Sequence, residues 1–334
     1  MRNRLIVAGI LTVLFAAGYY FGSNAINKNV VTKRTQIILG TTVEILIRGE
    51  KEDKGNPLFE KGFAEFHRID SLFSTYIEGN PIHRFNNSES DTVTLNKEIV
   101  EVLKASDEMN RICEEGFDVT LGKLTDLWGF SGQNPAKPGD EKIKEIMNES
   151  GWKNIKILND STVIKKNKVN LNLSAIAKGY AVDKAFELMK KSGGKDFLVN
   201  AGGEIRADGT DWKIGIQNPD NENDILMNLK PQEGKTEICV ATSGDYENFF
   251  MEGEIRYHHI LNPKTGYPSR ECRSVTIIAK DVTTADALAT GIFVAGGEKG
   301  IKIIEQLENT ECYIISKDGK IYESQGFKNY VRNR

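Results

Sequence analysis

Three segments of this chain carry side chains of the kinds that bind phosphate, hold a hard cation or move a proton. In NLSAIAKGYAVD, residues 172–183, Ser174 is the N-cap candidate of a helix, and Lys178 falls in or just after its first turn. A cation there opposes the helix dipole, which favours anions at that end. Helix N–H groups and Lys178 would jointly hold a phosphate, with Ala175, Ala177 and Gly179 small enough to admit a ligand to the backbone. A snorkelling surface lysine is the alternative. In TTADALATG, residues 283–291, Asp286 and Thr290 stand four apart, so on a helix their oxygens share one face. Such a pair suits Mg2+, which takes oxygen ligands and keeps several waters. An acid favouring the dipole in a first turn and a threonine bonding back to a carbonyl are the purely structural alternative.

The third segment runs from ATSGDYENFF into RYHHILNPKTGYP, residues 241–268, and sets His258 beside His259, two of only four histidines. On a strand they point to opposite faces, so one at most enters a given site, as a general base or a ligand clamp. Ser243-Gly244-Asp245 reads as an N-cap before a helix. Asn200-Ala201-Gly202-Gly203-Glu204-Ile205 reads as strand, double glycine, strand, with room for a tight turn or close backbone approach. GFDVTLGKLTDLWGF, residues 116–130, is rich in aromatics that either fill core or flank a flat ring. The chain has no GxGxxG fingerprint, Walker loop or GxSxG elbow.

The elements that must position these groups alternate between strand and helix. Thr35 to Arg48 reads as two strands meeting at Gly40. Phe59 to Phe73 and Lys97 to Cys113 carry helical apolar stripes, Ser174 to Lys191 is a helix ended by Gly193-Gly194, and Ala285 to Ala295 one stopped by Gly296-Gly297. Trp212, Ile214 and Ile216 alternate as in a strand, as do Val275, Ile277 and Ala279, and CYIISKDGKIYES is a hairpin turning on Asp318-Gly319. No internal linker is visible in 35–334, so this stretch is one α+β domain.

The chain has 334 residues, a net charge of −3 and 27% charged residues. No basic stripe is present to neutralise phosphates along a nucleic acid. Its four scattered cysteines form no CxxC or His/Cys pattern for zinc and read as buried small hydrophobes. At the N-terminus, Arg2 and Arg4 precede the uncharged run LIVAGILTVLFAAGYYFG, residues 5–22. Eighteen residues sit at the short limit for a spanning helix, and Tyr19 and Tyr20 fall where an interfacial aromatic belt would lie. Residues 1–22 are thus a membrane anchor or a signal peptide, 23–34 a polar linker, and the remainder is directed out of the cytoplasm.

Taken together, the segments resemble the ApbE family of FAD:protein FMN transferases. The resemblance rests on motifs in one order: Leu39-Gly40-Thr41; Asp70-Ser71-Leu72-Phe73-Ser74-Thr75-Tyr76; Gly116-Phe117-Asp118-Val119-Thr120; Leu127-Trp128-Gly129-Phe130; Ala175-Ile176-Ala177-Lys178-Gly179-Tyr180; Asn200-Ala201-Gly202-Gly203; Thr242-Ser243-Gly244-Asp245-Tyr246; His259-Ile260-Leu261-Asn262-Pro263; and Ala285-Asp286-Ala287-Leu288-Ala289-Thr290. It implies an α+β fold with mixed sheets and packed helices, related to the T-fold. It also implies Mg2+ and transfer of FMN from FAD to a Thr or Ser of an acceptor protein through a phosphoester, with AMP leaving.

By the same resemblance, the metal ligands map onto the backbone oxygen of Ala175 and the side chains of Asp286 and Thr290. Contacts to FAD map onto Leu39, Tyr76, Phe117, Asp118, Asn172, Lys178, His259 and Leu261. The catalytic set is His259 as base or phosphate-orienting group, Lys178 neutralising charge, and Asp286 holding the metal. Asn172 departs from the Asp found in many members, and Asn86 is the match for a family Ser. A FAD pyrophosphatase and a membrane-tethered FAD carrier are the competing functions. The expected acceptor is an electron-transfer protein of the cell envelope.

Overall fold

The structure, a computed structural model, describes residues 30–332 except positions 50, 51, 76, 131 and 133. The N-terminal apolar run and Tyr76 therefore lie outside the described residues. No helix among the described residues is long and apolar enough to cross a membrane.

The chain opens with strands β1 (Val31–Ile38) and β2 (Thr41–Arg48), paired antiparallel so that Ile38 faces Thr41. Strand β1 thus takes in residues 31–34 of the segment read as a linker, which find partners along β2. Two residues make the turn, Leu39 at φ 55° and Gly40 at φ 72°, the left-handed pair that a two-residue hairpin requires. Leucine is costly in that region. A hydrogen bond from the Leu39 backbone to the Asp70 carboxylate helps hold it there.

Five more strands extend the sheet: β6 (Phe197–Ala201), β7 (Glu204–Asp208), β10 (Glu237–Gly244), β13 (Cys272–Ala279) and β14 (Glu311–Ser316), with β15 (Ile321–Glu323) at the far edge. The spatial order is β1-β2-β6-β7-β10-β13-β14-β15, and every ladder in it is antiparallel. The expected α+β class holds, but the sheet is not mixed in strand direction. Small β3–β5, β8–β9 and β11–β12 ladders lie outside it: β3 (Thr92–Thr94), β4 (Ile155–Ile157) and β5 (Thr162–Lys165); β8 (Ile214–Asn218) with β9 (Asn221–Leu229); and β11 (Phe249–Glu252) with β12 (Ile255–His258).

One face of the large sheet carries the helices α1 (Glu52–Phe73), α6 (Ser174–Lys191) and α7 (Val282–Ala295). Between them in sequence lie α2 (Pro81–Asn87), α3 (Lys97–Ile112), α4 (Gly122–Leu127) and α5 (Asp140–Glu149), with α8 (Gly297–Ile304) following α7. The main core fills this layer: Val43, Ile45, Phe66, Phe186, Val275 and Phe293 are all fully buried. Leu198, Ile238, Val240 and Ile278 point from the other face into a second cluster, where Trp212, Ile214 and Ile216 cover them. Burial on both faces explains why Val275, Ile277 and their even-numbered neighbours are buried alike. A third cluster packs Trp128 and Phe130 against Phe250 and Tyr257, joining α4 and α5 to the β11–β12 hairpin.

Three local expectations need correction. Helix α7 begins at Val282, so Asp286 sits beyond the first turn. Its exposed amides are met elsewhere: Asp281 caps Thr284 N at 2.7 Å, and Asp183 accepts from Thr283 N at 2.8 Å and Thr283 Oγ1 at 2.7 Å. No helix follows Ser243-Gly244-Asp245; β10 runs through Gly244, and a turn leads into β11, because Ser243 and Gly244 still pair with Val275 and Ser274. Ser174 is not the N-cap of α6. Leu173 holds that position, and the side chain of Asn172 accepts from Ser174 N at 2.9 Å. The four cysteines are free and buried, as the sequence suggested.

Candidate functional site

Between the main core and the Trp128 cluster lies a cavity of about 460 Å³. Its lining contains Leu39, Phe117, Asp118, Asn172, Ala175, Lys178, His259, Leu261, Asp286 and Thr290, every expected site residue among those described. Turns supply one wall. Leu39-Gly40-Thr41 meets the β6–β7 turn, where Gly202 at φ 73° has no room for a side chain, since a Cβ would stand 2.3 Å from Thr41 Oγ1.

Helices α6 and α7 supply the floor, and Gly179 lets them touch. A Cβ at this position would lie 2.4 Å from the Val282 carbonyl oxygen and 2.8 Å from Asp286 Cβ. The close approach lets Gly179 N donate to Asp286 Oδ2 at 2.9 Å. Ala175, one turn before Gly179, lines the cavity, and its carbonyl has a second lone pair beyond the one a helix bond uses. Thr290 Oγ1, one turn beyond Asp286, lies 3.4 Å from Ser243 Oγ. Gly179→Ala is expected to destabilise the protein by about 1–3 kcal/mol through overpacking against backbone. Urea unfolding measures this, and an unchanged midpoint would contradict the close helix contact.

The electrostatics of the floor include two residues that the sequence reading missed, Glu204 and Glu247. Glu204 is 2% exposed, and Lys178 Nζ donates to its Oε1 while Oε2 has no hydrogen-bond partner. Asp286 is equally buried, with Oδ1 4.0 Å from Lys178 Nζ. Burial raises the pKa of Glu204, Asp286 and Glu247, and only Lys178 opposes it for all three. Burial works against the Lys178 charge too, but Asp286 and Glu204 outweigh it and raise its pKa. Three carboxylates around one ammonium leave the site short of positive charge. In sequence Glu204 is one acid on a strand after a double glycine, and Glu247 one in a polar turn; nothing local marks either.

The two histidines diverge, though only His258 lies on β12, which ends there, and His259 stands in the bend that follows. His258 is buried, donates from Nε2 to Ser269 O at 2.6 Å, and accepts from Ile260 N at Nδ1, so both ring nitrogens are occupied. His259 enters the cavity, with Nδ1 3.3 Å from Asn248 O. A carbonyl only accepts, so Nδ1 carries the proton and Nε2 keeps its lone pair. Burial, then His258 and Lys178, push the His259 pKa down to about 4.

Two expected FAD contacts have structural work as well. Asp118 Oδ1 accepts from Thr120 N at 2.8 Å and Thr120 Oγ1 at 2.6 Å, and Oδ2 accepts from Trp152 N at 3.0 Å, fixing the loop behind Phe117. The Asn172 side chain, uncharged, accepts from Ser174 N at the start of α6. Asn86 lies outside this cavity, pairing both amide atoms with the Leu171 backbone at 3.0 and 2.8 Å.

The chain matches the model of the ApbE family over residues 39–314. It is 32% identical to a FAD:protein FMN transferase of Haemophilus influenzae over 308 residues, 85% of this chain and 87% of the relative. It is 31% identical over 275 residues to the one from Vibrio cholerae, covering 79% and 81%. Among solved structures it superposes on the ApbE protein of Thermotoga maritima with a TM-score of 0.83 at 33% identity, covering 91% of this chain and 100% of that one. For the flavin transferase ApbE of Vibrio cholerae the TM-score is 0.80 at 29% identity, with 90% and 99% covered. The chain belongs to the ApbE family.

Proposed function

We propose that the protein transfers FMN from FAD to a Thr or Ser hydroxyl of an acceptor protein, releasing AMP. The observation that carries the reading is the single cavity that gathers the flavin-site, base and cation-site residues of the family motifs. Phosphoryl transfer of this kind needs positioning and charge neutralisation more than covalent help from the enzyme. The acceptor oxygen bonds to the FMN-side phosphorus, and the bond from that phosphorus to the oxygen of AMP breaks. His259, neutral with Nε2 unprotonated, takes the proton of the incoming hydroxyl. Phe117 and Leu39 offer apolar surface to the flavin ring, and Asn172 a polar contact to the nucleotide.

The floor fits Mg2+, an expectation supported by its charge deficit and the oxygens of Ala175, Asp286 and Thr290. Among the described residues no group of three or more His, Cys, Asp and Glu is arranged to hold a metal unaided. One carboxylate with a hydroxyl and a carbonyl matches Mg2+, which fills its remaining positions with water and substrate phosphate. When bound, the ion would neutralise pyrophosphate charge. Residues 1–22 would hold the enzyme at the inner membrane, or direct it through it, with residues 35–334 on the periplasmic or extracytoplasmic side. There the acceptor is an electron-transfer protein of the envelope.

Co-expression with candidate acceptors tests transfer against hydrolysis. Flavin fluorescence that stays with the denatured acceptor is the expected result. FMN found only free in solution would favour a FAD pyrophosphatase, and FAD recovered intact would favour a carrier.

A further inference from the structure

Among the described residues, Lys178 is the cation that pairs with both buried carboxylates, Glu204 and Asp286, and it is hydrogen-bonded to Glu204 alone. Its ammonium donates to Glu204 Oε1, while Asp286 Oδ1 stands off at 4.0 Å. Asp286 Oδ2 already accepts from Gly179 N at 2.9 Å, so Oδ1 is the Asp286 oxygen more open to a divalent cation. A shift of roughly 1 Å would bring the ammonium to charge-assisted hydrogen-bond distance from Oδ1. A cation at Asp286 would then compete with a hydrogen-bond donor at each oxygen.

We infer that Glu204 is a positioning residue that holds the Lys178 ammonium away from Asp286 and so keeps Oδ1 open to a divalent cation. Glu204 is suited to the task by its burial, 2% exposed, where an ion pair is little screened and removal of one partner leaves the other without compensation. It is fixed in place by β7, immediately after the Gly202-Gly203 turn. A glutamine there would keep the shape but could not compete with an ionised Asp286 for the ammonium. Glu204 acts on the cation site through Lys178, which separates this role from that of a ligand.

The inference rests on Asp286 as a cation ligand, and the experiment distinguishes the two claims. The full chain and its variants are titrated with Mn2+ alone, with free Mn2+ followed by its EPR signal. Glu204→Gln is expected to weaken Mn2+ binding by about tenfold or more. Lys178→Met is expected to bind Mn2+ at least as tightly as the unaltered chain. The double variant Glu204→Gln/Lys178→Met, in which no ammonium competes for Asp286, is expected to return to within about threefold of the unaltered chain. Equal Mn2+ binding by Glu204→Gln and the unaltered chain overturns the inference and leaves the cation site standing. A double variant as weak as Glu204→Gln also overturns it, because Glu204 would then act as a ligand or a structural support. Should Glu204→Gln fail to fold, Lys178→Met decides alone: binding weakened about tenfold or more contradicts a competing ammonium. An unaltered chain that binds no Mn2+ removes the cation site and the inference together.

Discussion

Replacing Asp286 with asparagine is expected to lower FMN transfer about 10³-fold or more, the scale of losing a group that stabilises charge in the transition state. Asparagine is nearly isosteric and still accepts from Gly179 N, so the α6–α7 contact is kept. The change removes one buried negative charge and the carboxylate oxygen that faces the cavity floor. Lys178 would then keep Glu204 and the more distant Glu247, and the floor would lose most of its pull on a divalent cation. AMP release and covalent flavin on the acceptor should fall together, with thermal stability little changed. Transfer within about tenfold of the unaltered enzyme would contradict a role for Asp286 in holding the cation.

Replacing His259 with alanine is expected to slow transfer about 10²- to 10⁴-fold, the range for losing a positioned general base. The effect should fall mainly on kcat, because the base acts on the acceptor hydroxyl, with a smaller rise in the KM for FAD from the lost contact. The pH dependence follows from the half-buried ring, whose pKa the cavity pushes down to about 4 from the ordinary 6.5. The neutral ring is the active form. The rate should therefore stay level from pH 7 down through 6.5, then fall as His259 takes up its proton near pH 4. The alanine variant should lack this acid limb. A limb centred at 6.5 in the unaltered enzyme would show that the cavity does not suppress protonation, and a variant at full rate would remove His259 from the chemistry.

Much of this site was legible in the sequence because its parts are local. Asp286 and Thr290 share a face by helical spacing alone, and that arrangement appears; His258 and His259 also diverge, but at the end of β12 and not along a continuous strand. Leu39-Gly40 and Gly202-Gly203 turn as glycine-containing hairpins should. What was illegible depends on distant partners. Glu204 matters because β7 brings it under Lys178, 26 residues away along the chain. Asp183 caps α7 from about a hundred residues away, with nothing near either residue to announce it. The helix expected after Ser243 failed because the capping signal was local, whereas pairing of β10 with β13 is not. Lys178 looked free for a phosphate, and tertiary structure gave it two carboxylates instead.

The central claim is that this cavity joins FMN to a protein and does not merely split FAD. The most direct measurement is the intact mass of candidate envelope electron-transfer proteins after incubation with the purified enzyme, FAD and Mg2+, with AMP quantified in the same reaction. The account predicts an acceptor heavier by one FMN less one water, one AMP released per flavin attached, and neither product from the Asp286→Asn enzyme. AMP and free FMN accumulating while every acceptor keeps its original mass would contradict it.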